Sequence, residues 1–216
     1  MLRRPQSITI AQPEIETLRR CSLDNDVSYI IMEAQNPNDS KELLLSLLQQ
    51  VKTAQRPLIW ALRFSDFQNR PPCLEDIIRI LVVHALEINS NALASNAFPI
   101  TLPSLRAAST QSDWLSILNR ALSGLEEVYI IIDPDLLRFV AENNSCSSVD
   151  LILALKRGVT GTRLKIIISS VGINKGYFTQ NSVAGSWKVI RTNTLQSQRL
   201  AKMKKQHLAR VRRNRK

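Results

Sequence analysis

Short apolar runs of strand character alternate along this chain with longer stretches in which apolar residues recur every three or four positions. Val27-Ser28-Tyr29-Ile30-Ile31-Met32 is β-branched and aromatic and has the length of a strand. A polar Asn36-Pro37-Asn38-Asp39-Ser40 segment reads as a loop, and after it Leu43, Leu44, Leu47, Leu48 and Val51 recur at helical spacing. Pro57 then introduces a second strand, Leu58-Ile59-Trp60-Ala61-Leu62-Arg63-Phe64, and Pro71-Pro72 precede a helix with Ile77, Ile78, Leu81, Val82 and Leu86 on its apolar side. Residues 89–111 show no clear period and contain Pro99 and Pro103, so they read as a long connection. A helix with Trp114, Leu115, Leu118 and Leu122 follows and ends near Gly124.

The clearest signal is Val128-Tyr129-Ile130-Ile131-Ile132, a continuous apolar run of the kind buried on both faces of a parallel sheet, which stops at Asp133-Pro134-Asp135. Residues 149–157 predict another helix, Leu164-Lys165-Ile166-Ile167-Ile168 another strand followed by Ser169-Ser170, and residues 187–190 a last short strand. Strands alternating with helices predict an α/β fold with a mainly parallel sheet flanked by helices. The chain divides into a polar lead-in over residues 1–26, an α/β domain over 27–190 and a basic tail over 191–216.

Composition sharpens this picture in three ways. The 216 residues carry a net charge of +11, yet residues 188–216 hold eleven Lys or Arg and no acid, leaving eighteen basic and eighteen acidic residues in the rest. The body is neutral, so attraction to polyanions belongs to the tail, where Lys202, Lys204, Lys205, Arg210, Arg212, Arg213, Arg215 and Lys216 cluster. Such a segment suits nucleic acid, anionic lipid or a nuclear import receptor, or is a solubilising end; with no interleaved aromatic it offers no stacking platform for sequence readout. All six glycines lie after residue 123, which excludes an intact glycine-rich phosphate loop or dinucleotide fingerprint in the first half. Cys21, Cys73 and Cys146 are odd in number and form no CxxC, so reduced thiols are expected. No apolar run reaches the roughly 18 residues of a bilayer span and the N-terminus lacks a secretory apolar core, so an intracellular, cytoplasmic or nuclear protein is expected.

In an open α/β sheet ligands bind beyond the carboxyl ends of the strands, which directs attention to residues 33–41, 64–66, 133–135 and 169–171. Asp133, at the end of a buried apolar strand, stands where a carboxylate can reach a Mg-nucleotide, or it simply begins a turn before Pro134. His84 lies in an apolar helical stretch and reads as a helix-face histidine; with His207 the only other one, no histidine metal cluster or Ser-His-Asp arrangement is indicated.

The order of strand, polar segment with Lys41, helix, strand ending in Phe64, helix, long connection, Trp114 helix, Tyr129-Ile-Ile-Ile-Asp133 and Lys165-Ile-Ile-Ile-Ser-Ser170 resembles the P-loop NTPase core of fungal NACHT or STAND proteins over residues 27–190. The resemblance implies a Walker A segment at residues 35–42 with Lys41 as its lysine, a Walker B aspartate at Asp133 and a sensor-like strand ending at Ser169-Ser170. It also implies that larger relatives carry further recognition or effector domains, for which 216 residues leave no room beside this core.

The departures are as informative. In the Walker A frame the two glycine positions hold Gln35 and Ser40, and the Mg-ligating hydroxyl is replaced by Glu42. Asp39 and Glu42 beside Lys41 set negative charge where phosphates would lie, a repulsion of about 1 kcal/mol per pair at 4 Å in water. The acidic pair expected after the Walker B aspartate falls on Leu136 and Leu137, with Asp135 the only nearby replacement. A non-catalytic scaffold or regulatory interaction domain with no cofactor is therefore expected. The alternatives are a nuclear or nucleic-acid-associated protein working through its tail, and a residual switch that binds Mg-ATP or Mg-GTP through Lys41, Asp133 and Asp135, with the metal on Asp133.

Overall fold

The computed structural model describes residues 27–34, 37–62, 72–94, 99–133, 136, 148–171 and 186–191. Five parallel strands form one sheet: β1 (Val27–Ala34), β2 (Leu58–Ala61), β3 (Glu127–Ile132), β4 (Arg163–Val171) and β5 (Ser186–Arg191), in the order β2-β3-β4-β1-β5. The helices are α1 (Pro37–Thr53), α2 (Leu74–Ile88), α3 (Leu102–Ala107), α4 (Gln111–Ala121) and α5 (Ser148–Gly158). Parallel neighbours require crossovers: α1 lies between β1 and β2, α2 to α4 between β2 and β3, and α5 between β3 and β4. The expected α/β sheet flanked by helices is present. Among the described residues no helix is long and apolar enough to cross a membrane. The basic tail and Asp135 lie outside the described residues, as do Cys21, Cys146 and the 1–26 segment.

Alternate side chains of each strand face opposite layers. Tyr29, Ile59, Ala61, Val128, Ile130, Ile132, Ile166 and Ile168 face the larger core, filled from α2, α4 and α5 by residues such as Ile77, Leu81, Leu118 and Leu155. Ile30, Met32, Leu58, Tyr129, Ile131 and Ile167 face the second core, to which α1 contributes Leu44 and Leu47. Burial on both faces is why these strands read as continuous apolar runs, and each such side chain taken from water contributes roughly 1.5–3 kcal/mol.

Several boundaries differ from the sequence reading. β2 ends at Ala61, short of the expected Phe64, which lies outside the described residues. Residues 37–40 of the Asn-Pro-Asn-Asp-Ser segment are the start of α1, because Pro37 falls at the first helical position, where its missing N–H has no intrahelical partner to lose. The stretch 89–111 contains a short 3-10 turn (Ser90–Ala94) and α3, which starts where Thr101 accepts from the Ser104 N–H and Pro103 sits in the first turn. Ser169 and Ser170 lie inside β4 rather than after it, since their pairing with Met32 and Glu33 of β1 carries the ladder onward.

Local chemistry fixes the helix ends. Asp76 accepts from the Cys73 N–H at 3.1 Å and from its thiol at 3.2 Å, and Arg79, 3.8 Å from Asp76, lays its guanidinium 4.7 Å over the Trp114 ring, joining α2 to α4. Asn89 donates to the carbonyls of Ala121 and Ser123, both at 2.9 Å, and so closes the end of α4, where Gly124 turns the chain with φ +85°, a conformation that favours glycine. At the opposite end of α4, Thr110 accepts from the Asp113 N–H while Asp113 accepts from the Ser109 and Thr110 N–H groups, which holds its carboxyl below the ordinary value of 3.8.

Three outcomes follow from the packing and capping of these helices. A Cβ on Gly158 would sit 2.9 Å from the Leu115 Cβ, so Gly158→Ala should destabilise the domain by about 1 kcal/mol or more despite the better helix propensity of alanine, read as a lower urea midpoint. Thr110→Ala should cost about 1 kcal/mol through the lost cap. Because the Asp113 carboxyl is lowered in the folded state, the advantage of the native chain over Asp113→Asn should be full above the unfolded value near 3.8 and shrink as pH falls through the lower folded value, in urea titrations at stepped pH.

Candidate functional site

The carboxyl ends of β1, β3 and β4 converge with the first turns of α1. β4 lies between β1 and β3, so the end of β1 and the end of β3 stand two strand spacings apart, roughly 10 Å. Ile132 of β3 and Ile31 of β1 both pair with Ile168, and one step further β1 places Met32 beside Ser169. Asp133 follows Ile132 directly, so it reaches the same level on the other flank of β4.

Asp133 is where the sequence placed it. It is 5% exposed, its N–H donates to the Ala61 carbonyl at 2.9 Å, and its own carbonyl accepts from the Leu136 N–H at 3.1 Å. It therefore both ends β3 against β2 and begins a turn, as the turn reading of this residue expects. Leu136, in the position of the expected acid, is fully buried in the larger core.

Lys41 is exposed and lies in the second turn of α1 instead of in a loop. Only Gln35 and Asn36 separate β1 from α1, so the residues that would wrap a phosphate are wound into the helix. Ser40, in the frame of the second glycine, is 3% exposed, and its hydroxyl is hydrogen-bonded to the hydroxyl of Ser169, which is fully buried. This clasp joins α1 to β4 at the carboxyl edge of the sheet. Sequence reasoning did not find it, because its partners are 129 residues apart and a lone serine carries no signal of its mate. Glu33, half-buried at the end of β1 between Ser170 of β4 and Arg191 of β5 in register, is a further acid at this edge.

Other chemistry is elsewhere. The Cys73 thiol is pushed up to about 11 by burial and by the carboxylates of Asp76 and Glu75, so it stays protonated at neutral pH and is a poor nucleophile. A groove of about 560 Å³ runs between α4 and α5, lined by Ser112, Ser116, Asn119, Asp150, Ala154 and Arg157 among others, and takes no residue from a strand end. Among the described residues no three His, Cys, Asp or Glu side chains are grouped to hold a metal ion. For a Mg-nucleotide, the expected donors among the described residues are the Asp133 carboxylate and the Lys41 ammonium, while the hydroxyl and glycines of the phosphate loop are replaced. The fit is incomplete.

No protein-family model matches the chain, and no curated protein matches it in sequence. Among solved structures it is similar to the ORC2 protein of Aeropyrum pernix in its ADPNP-ADP complexes, with a TM-score of 0.55 at 12% identity. The match covers 88% of this chain and 50% of that one, so the chain spans half the length of that neighbour. At this identity the likeness is one of architecture, in agreement with the parallel sheet and flanking helices described above. The domain has an α/β fold similar to that of P-loop ATPases.

Proposed function

We propose that this chain is a non-catalytic P-loop-ATPase-like domain of NACHT or STAND type that serves as a scaffold or regulatory interaction domain. The observation that carries this reading is the Ser40–Ser169 hydrogen bond in a first turn of α1 that begins two residues after β1. A phosphate loop leaves room for the anion between strand and helix and offers it free N–H groups. Here two residues make the connection, and the hydroxyl of Ser40 is committed to Ser169. The position of a catalytic acid is occupied by Leu136, a core side chain. What remains is an α/β body in which a buried hydroxyl at the carboxyl edge is held by the domain itself, as suits a domain that presents surfaces.

A second reading rests on the charge asymmetry: a neutral body bearing a tail with nine basic and no acidic residues after Arg191 suits nuclear import or sequence-independent contact with nucleic acid. Arg191 itself pairs with Glu33 as the last residue of β5, so a deletion that spares the sheet begins at Thr192.

Thermal unfolding with millimolar Mg-ATP, Mg-ADP or Mg-GTP is expected to show no shift, whereas a ligand at 100 times its Kd would add about 2.7 kcal/mol. A shift that Asp133→Ala removes would overturn the closed-site reading in favour of a residual Mg-nucleotide switch. Ser40→Ala and Ser169→Ala should each lose about 1–3 kcal/mol, since each strands a buried hydroxyl, and the double substitution should lose less than their sum in urea denaturation. For the tail, fluorescence anisotropy with a labelled oligonucleotide should show salt-sensitive binding by the full chain and none after deletion of residues 192–216; binding that survives the deletion rejects this second reading.

A further inference from the structure

The order of the sheet leaves β2 at one edge among the described residues. Its carbonyls at Pro57 and Ala61 accept from the Tyr129 and Asp133 N–H groups of β3, both at 2.9 Å. Peptide groups alternate in direction along a strand, so the N–H and C=O of Trp60 point the opposite way, out of the sheet. An apolar Leu-Ile-Trp-Ala strand with its main-chain groups turned outward is a template for adding another strand. It contains no proline and no charge to discourage pairing; only its shortness and its flanks oppose it.

Among the described residues, one side chain is hydrogen-bonded to the outward groups of Trp60. His84, on α2, brings its Nδ1 to 2.8 Å from the Trp60 carbonyl oxygen and 3.4 Å from the Trp60 nitrogen, and its ring lies 4.0 Å from the Trp60 ring, tilted by 33°. One ring nitrogen cannot donate to the carbonyl and also accept from the N–H. The shorter contact therefore defines the state: Nδ1 carries the proton and gives it to the carbonyl, and the imidazole covers the N–H behind it. The helix-face histidine of the sequence is in the structure a side chain that reaches round the sheet edge.

We infer that His84 is an edge guard, holding the main-chain groups through which β2 would otherwise pair with β2 of a second copy of this chain. A second copy is the partner that fits, because an antiparallel pair of identical four-residue strands about a two-fold axis matches each strand's outward groups to the other's and faces like apolar side chains together. The inference does not depend on whether the carboxyl edge of the sheet takes nucleotide.

The test compares the full native chain with His84→Leu and His84→Gln under reducing conditions. Sedimentation velocity over a hundredfold concentration range should show a dimer gained by His84→Leu, while His84→Gln, whose carboxamide can still donate to the Trp60 carbonyl, should match the native chain. A labelled peptide spanning residues 56–63 should bind His84→Leu at least tenfold more tightly than the native chain. A folded His84→Leu with native circular dichroism, no gain of dimer and no gain of peptide binding overturns the inference. Should that variant fail to fold, the native chain decides: the Trp60 amide, covered by the imidazole, should exchange with solvent at least tenfold more slowly than an open edge amide, and exchange at the unprotected rate overturns the guard.

Discussion

Everything else in this domain depends on the parallel ladder between β1 and β4, six residues in register from Tyr29–Ile166 to Ala34–Val171. β4 also pairs in parallel with β3, and β1 with β5, so the ladder joins the two halves of the sheet. Parallel strands buried on both faces cannot be linked by tight turns, and the helices that make the crossovers are the ones that fill the two cores. The placement of β4 between β1 and β3 also determines what the carboxyl edge can become. It sets the end of β1 and Asp133 on opposite flanks of one strand, with Ser169 on that strand between them.

Much of this architecture was legible in the residues. The isoleucine runs of β3 and β4 announced strands buried on both sides, and the spacing of Ile77, Ile78, Leu81 and Val82 announced α2, because local period and burial are the same fact seen twice. Asp133 could be placed at a strand end for the same reason. The start of α1 was not legible: Asn-Pro-Asn-Asp is turn chemistry by composition, and only the docking of Leu44 and Leu47 on the sheet decides that Pro37 opens a helix. The short α3 was hidden because six residues are too few to display a period, and its cap, Thr101 with Ser104, was the only available sign.

The non-local polar contacts were the least visible. The Ser40–Ser169 clasp and the His84–Trp60 contact each join residues whose proximity is created by the fold. Both sit at boundaries of the sheet, one at the carboxyl edge and one at the β2 side, where main-chain and hydroxyl groups would otherwise face water or a ligand. The two contacts are alike in effect: each commits a polar group of the domain to the domain itself, and so a fold similar to that of P-loop ATPases is left with fewer open valences.

The same β1–β4 ladder has a consequence during synthesis. β1 pairs only with strands made late, since Ile166 and Trp187 both follow Tyr29 after most of the domain has been translated. At 5–20 residues per second, the Tyr-Ile-Ile-Met stretch leaves the ribosome on the order of ten seconds before its first partner strand exists. Throughout that interval an apolar strand has neither its ladder nor both of its covering layers. Among the described strands, β1 is thus the one whose apolar residues wait longest for their ladder.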